Sequence, residues 1–100
     1  MANNTIHPEK LKNTTALGAF SMNTGFLIGE LGNVIVKPTI ETTVYDIKIV
    51  NNIGATVYER TGEEGTLSEL LEMPLHGIYG VYVSNATRNE DFQIMLMIKE

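Results

Sequence analysis

The chain has no cysteine and no tryptophan in 100 residues. No disulfide and no thiolate metal site can form, so the redox state of its compartment leaves no mark on it. Basic residues are few, seven Lys and Arg against twelve Asp and Glu, for a net charge of −5. Lys10, Lys12, Lys37, Lys48, Arg60, Arg88 and Lys99 are spread along the chain, without the basic cluster that duplex binding needs. Nucleic acid is therefore not expected as a partner. Long apolar runs are missing too, and none approaches the roughly 18 residues of a spanning helix. The start, MANNTIHPEKLKNTT, has no charged stretch followed by an apolar one. A secretory signal peptide is therefore not expected; synthesis in the cytoplasm, with no membrane partner, is expected.

What is present is enough to fold. A hydrophobic content of 43% is too high for a disordered chain. One hundred residues allow one domain with a core of its own. Residues 1–16, rich in Asn and Thr and holding Pro8, are expected to be a flexible polar arm. Residues 17–100 are expected to form a single β-sandwich domain.

The alternation of apolar and polar residues carries that expectation. LGAFSMNTGFLIGELG (17–32) is broken by four glycines and reads as one or two short, bent strands, with Phe26, Ile28 and Leu31 as core candidates. NVIVKP is a short strand stopped by Pro38. TIETTVYDIKIV puts Tyr45, Ile47 and Ile49 on one side, with Asp46 and Lys48 on the other. NNIG (51–54) has turn chemistry, and ATVYER runs back from it as a hairpin. TGEEG (61–65) is expected as a loop. TLSELLEM (66–73) fits a helical turn or a short edge strand, with Thr66 and Glu69 at capping-box spacing and Pro74 as its end. GIYGVYVSN groups Tyr79, Val81 and Val83, and DFQIMLMIK groups Phe92, Ile94, Leu96 and Ile98. The fold class is all-β, a small Ig-like antiparallel β-sandwich of six or seven strands. Its two sheets are expected to bury Ile47, Ile49, Val57, Tyr79, Val81, Phe92, Ile94, Leu96 and Ile98.

Catalytic chemistry is not legible. His7 and His76 have no convergent acids at metal-ligand spacing. Glu59, Glu63, Glu64, Glu69 and Glu72 lie in a stretch without the oxygen-ligand spacing of a calcium loop. Ser21, Ser68 and Ser84 sit in no nucleophile-elbow motif, and the glycines of FLIGELGN form no phosphate loop. No enzyme, cofactor or metal is expected. Three Asn-x-Thr sequons, at Asn3, Asn13 and Asn85, are expected to be compositional accidents rather than glycan sites.

Residues 44–98 offer one resemblance. VYDIKIVNNIGATVYER, LSEL, GIYGVYVSN and the closing strand are similar to the C-terminal sorting domain of type IX secretion cargo. Asn51, Gly54, Val57, Leu67, Leu70, Gly77 and Tyr79 fall at that family's places. The family's Pro-Asn-Pro entry stretch is absent. The resemblance implies an immunoglobulin-like sandwich and, as a second function class, a secretion or adhesion module.

Two surface features point to a partner. Met95 and Met97 lie on the side of the last strand opposite its apolar row. Either residues 17–32 cover them or another chain does, and Met is adaptable at interfaces. Tyr58 and Tyr82, with Val44, lie off the expected inward faces and form a second contact candidate. The expected interface residues are Met95, Met97, Tyr58 and Tyr82. By exclusion, the expected function is that of a non-enzymatic structural protein of a phage virion. A capsid decoration protein that docks on a lattice, with self-association as a further expectation, fits this surface. A small-ligand or carbohydrate binder is the third class; it calls for a concave aromatic site, which four Tyr and no Trp do little to announce.

Overall fold

The computed structural model describes residues 6–99. It contains six strands: β1 (Ile6–Thr14), β2 (Phe20–Pro38), β3 (Val44–Val50), β4 (Thr56–Glu64), β5 (Leu67–Ser84) and β6 (Asp91–Lys99). All pairings are antiparallel, in the order β1-β6-β2-β5-β3-β4. The chain is all-β, and this one sheet folds over itself into a sandwich.

The fold-over is made by the two longest strands. β2 and β5 pair from Phe20↔Val83 to Val36↔Leu67. Midway, Gly29 has φ 128° and Gly77 has φ 130°, backbone that L-residues rarely adopt. Gly29 also passes so close to β6 that an added Cβ would lie 2.4 Å from the Lys99 carbonyl oxygen. Register shifts at Asn23/Phe26 and Leu31/Asn33 add the twist that bulges bring. The first layer therefore holds β1, β6, residues 30–38 of β2 and residues 67–74 of β5. The second holds residues 20–28 of β2, residues 76–84 of β5, β3 and β4.

The layers meet through inward rows that are almost fully buried. Phe92, Ile94, Leu96 and Ile98 of β6 face Tyr45, Ile47 and Ile49 of β3 and Val81 and Val83 of β5. The Tyr45 and Phe92 rings meet edge to face at 5.2 Å between centroids, an arrangement that adds roughly 1 kcal/mol beyond area burial. The buried Tyr45 hydroxyl donates to the Gly65 carbonyl at 2.8 Å. Polar ties close both sides of the sandwich. At one side the Glu9 carboxylate of β1 accepts the Gly25 N–H of the β2 bulge at 3.0 Å. At the other, Glu69 of β5 binds Arg60 and the Tyr58 hydroxyl of β4.

Several segments differ from the sequence-based reading. Residues 6–14 of the expected arm form β1, an edge strand paired with β6 along its length. Its pattern is polar because, among its described side chains, Leu11 is the one deeply buried apolar group, and Pro8 is tolerated on an edge. Residues 1–5 of that arm lie outside the described residues. Segments 17–32 and 33–38 merge into β2, and 66–73 and 77–84 merge into β5, since their Gly and Pro mark bends. Thr66 does not cap a helix with Glu69: its N–H donates to Glu41 at 2.9 Å, while Glu69 points to β4. β4 runs through the expected 61–65 loop to Glu64, helped by a bulge at Gly62, whose N–H donates to Asp46 at 2.8 Å.

Candidate functional site

The sandwich has two outer faces, and each exposes apolar side chains. On the first layer, cross-strand register sets two rows: Lys10–Met95–Ile35 and Lys12–Gln93–Lys37. Pro8, Met97 and Asn33 form the next row, continued by Leu70 on β5. Met95, Met97 and Ile35 are half-buried by these in-plane neighbours, and Leu70 is 81% exposed. Two shallow depressions lie along this strip. One of about 370 Å³ is lined by Lys10, Lys12, Ile35, Lys37 and Met95 among others. The other, about 410 Å³, is lined by Leu70, Met97, Asn33 and Lys99 among others.

The sheet thus gathers four of the seven basic residues around one apolar strip. The sequence hides this, because Lys10 and Lys12, Lys37, and Lys99 come from three different strands. Lys12 pairs with Asp91 at 3.6 Å and Lys99 with Glu30 at 3.4 Å. Lys10 and Lys37 have no ion-pair partner among the described residues. Residues 20–32 of the segment 17–32 do not cover Met95 and Met97: 20–28 belong to the other layer, and 30–32 run beside β6 within the same sheet. Among the described residues, no segment crosses this strip.

On the second layer the exposed large apolar residues of β2 and β5 are Phe26 (63%), Ile28 (53%), Ile78 (48%) and Tyr82 (40%), and Ile53 stands exposed on the β3–β4 turn. Phe26 stands opposite Ile78, and Ile28 opposite His76. The His76 ring meets Phe26 edge-on at 5.5 Å. The reading of Phe26 and Ile28 as core is corrected by the Thr24–Gly25 bulge. It sets two residues of β2 against Tyr79 alone, so the faces swap: Thr24 and Leu27 go in and Phe26 goes out. Thr24 reconciles the bulge with burial, since its hydroxyl accepts the Tyr79 N–H at 3.0 Å.

Tyr82 is exposed as expected, but Tyr58 is not. It is 6% exposed and belongs to the core. The shift between Ile49↔Tyr58 and Val50↔Thr56 turns Tyr58 inward and leaves Val57 half-buried. Burial, followed by the hydrogen bond to Glu69, pushes the Tyr58 hydroxyl well above the usual tyrosine range. The hydrogen bonds from Arg60 and from Tyr58 hold the Glu69 carboxyl below its ordinary value. Arg60 also lies over the Tyr58 ring, 5.0 Å from its centroid. This trio is a structural tie between layers. Val44, grouped with these tyrosines, is half-buried beside the Thr87 hydroxyl that accepts its N–H at 3.0 Å.

Other charged groups are also held by hydrogen bonds. Asp46 is held below the usual carboxylate range by Asn85 and the Gly62 N–H, Glu41 by the Thr66 N–H and hydroxyl, and Asp91 by Thr14. Glu90 accepts the Ile40 N–H at 2.8 Å and the Thr43 hydroxyl at 3.0 Å. These carboxylates fasten loops. Among the described residues, no three His, Asp or Glu side chains converge as a metal site would need.

No family model matches the chain, and no curated protein sequence matches it. The resemblance to the type IX sorting domain therefore extends no further than its residues. Solved structures do match. The Aeromonas hydrophila PliG, a periplasmic inhibitor of g-type lysozyme, superposes with a TM-score of 0.53 at 12% identity, over 91% of this chain and 86% of that one. The Yersinia pseudotuberculosis-derived mitogen gives 0.54 at 9% identity, over 98% and 87%. FLHE gives 0.53 at 6% identity, over 95% and 98%. At such identities the likeness is one of fold alone. The chain is a β-sandwich domain of the same architecture as these proteins.

Proposed function

We propose that the chain is a non-enzymatic protein-binding module that docks through the outer face of its first layer. The observation that carries this reading is the strip of Ile35, Met95, Met97 and Leu70 bordered by Lys10, Lys12, Lys37 and Lys99. Half-exposed methionines beside lysine stems form an adaptable apolar surface, and the ammonium groups at its border select the partner. The fitting partner is a protein surface with an apolar ridge flanked by carboxylates. The finer reading is an accessory structural component of a virion, such as a capsid decoration protein set on a lattice. It is supported by a shallow, open surface with a lysine rim, and no three His, Asp or Glu side chains converge among the described residues.

Two experiments test this. Met95→Asp places a charge in the strip without touching the inward row. It should abolish binding to capsids or particles in co-sedimentation while the circular dichroism spectrum and unfolding midpoint stay in place. Unchanged co-sedimentation would remove the strip from the interface. Mass spectrometry of purified particles from the producing host tests the virion role itself: many copies per particle support it, and absence from the particles ends it.

A further inference from the structure

We infer that the outer face of the second layer carries a binding site for a neutral sugar ring. The site is a shallow trough centred on Gly80, which is itself buried beneath the Tyr82 ring and the Val50 side chain. Cross-strand register places Asn23 on one side of Gly80 and Val50 on the other. Along β5, the flanking outward residues are Ile78 and Tyr82, so a residue without a side chain lies between two apolar walls. The β3–β4 turn closes the end, with Asn51, Asn52 and Gly54. The trough measures about 380 Å³.

Its chemistry is specific. In a chain that is 19% charged, none of the side chains lining this trough is ionisable at neutral pH. They are three asparagine amides, a tyrosine and aliphatic groups. The Tyr82 ring leans over Gly80: a Cβ there would lie 3.0 Å from its Cε1. Glycine thus allows the ring to lie along the strand as a platform, 40% exposed. Lys48, 5.3 Å from the ring centroid, holds it through a cation–π contact. The Asn51 side-chain oxygen accepts the N–H groups of Ile53 at 3.1 Å and Ala55 at 2.9 Å, which fixes that amide and leaves its NH₂ to donate outward. The Asn23 and Asn52 amides have no hydrogen-bond partner among the described residues. Asn52 leans toward Gly77, its Nδ2 3.8 Å from where a Cβ would stand.

A pyranose ring has an apolar face of C–H bonds and an edge of hydroxyls. The face stacks on a flat aromatic ring. The Asn23 and Asn52 amides each offer a donor and an acceptor side by side, as a pair of neighbouring hydroxyls requires, and Asn51 adds a donor. An anion would find no cation at the walls apart from Lys48, which is engaged with the ring. A protein partner would seek the apolar ridge of Phe26 and Ile28 rather than the amide-lined trough. This site is separate from the lysine-bordered strip and does not depend on its role.

The test is a nuclear magnetic resonance titration of the full chain with four neutral oligosaccharides: cellotriose, maltotriose, chitotriose and galactotriose. At least one should shift the signals of Asn23, Asn51, Asn52 and Gly80 in a saturable manner. Tyr82→Ala should weaken that binding by about tenfold or more, equal to about 1.4 kcal/mol. Asn52→Ala, on an exposed turn, should weaken it without any effect on folding. Met95→Asp, on the opposite face, should leave it unchanged. No saturable shift with any of the four, or shifts that map to the first layer, overturns the proposal. Binding that survives both Tyr82→Ala and Asn52→Ala overturns it as well.

Discussion

The two outer faces of the sandwich share an apolar character and differ in what surrounds it. Lysines border the strip on the first layer; on the second, amides line the trough, with Phe26 and Ile28 beside it. The difference arises from where each sheet row draws its residues. The first layer's rows cross β1, β6 and β2, whose outward positions supply Lys10 and Lys12, Met95, Met97 and Lys99, and Ile35 and Lys37. The second layer's rows cross the end of a hairpin, where turn chemistry supplies Asn and Gly. Surface chemistry here follows from register: the same strands β2 and β5 contribute to both faces, and the bend decides which side chains meet. A charged rim makes affinity dependent on salt, whereas neutral amides and a tyrosine make it nearly independent of salt.

That contrast holds only while the core keeps the two faces fixed, so the most severe way to break it is from inside. Phe92→Ala removes the ring that meets Tyr45 and Phe20. A loss of about 3–5 kcal/mol is expected in urea unfolding. A loss under 1 kcal/mol would mean that the layers do not depend on this contact. Next comes the bend: Gly29→Ala forces a side chain into positive φ and against the Lys99 carbonyl, and should cost about 2 kcal/mol. A neutral result would show that the strand path can relax there.

A smaller effect separates the tie between layers from the faces themselves. Glu69, Asp46, Glu41 and Asp91 all have carboxyls held below their ordinary values in the folded state. A lowered folded value means the stabilisation is present above the unfolded value of about 4 and is lost as the pH falls through the folded values. Urea midpoints should therefore hold near neutrality and decline below about pH 4. Glu69→Gln should flatten part of that decline; an unchanged profile would remove the Arg60–Glu69 tie from the acid response. The smallest effects are expected on the faces. Met95→Asp and Tyr82→Ala should each move stability by no more than about 0.5–1 kcal/mol. A larger loss at either would place that residue in the core rather than on a surface.

Particular elements show how far the sequence could be read. The β3–β4 hairpin is legible because Tyr45, Ile47 and Ile49 alternate cleanly and Asn51 with Gly54 marks the turn. β6 is legible for the same reason, and its inward row is buried as its alternation implies. β2 and β5 read as separate strands on either side of Gly32 and Pro74, since Gly and Pro punctuate strands more often than they bend them. The sequence does not say that a partner strand continues past the bend. Bulges hid the rest. One extra residue at Thr24–Gly25 reversed the expected sides of Phe26 and Ile28, and the shift after Ile49 did the same to Tyr58. The outward placement of Met95, Met97 and Tyr82 is legible because the alternation around them is regular. The lysine border and the amide trough could not, as both depend on which strands are neighbours.

The path of β2 and β5 has a mechanical consequence. Each runs without a break from one layer into the other, so no linker separates the faces. A pull applied at the lysine-bordered strip enters β2 and β6 and reaches the second layer along continuous, hydrogen-bonded backbone. The two faces cannot be sheared apart without unzipping the β2–β5 ladder. In an assembly that is loaded from outside, this domain would act as a rigid rivet rather than as a hinge.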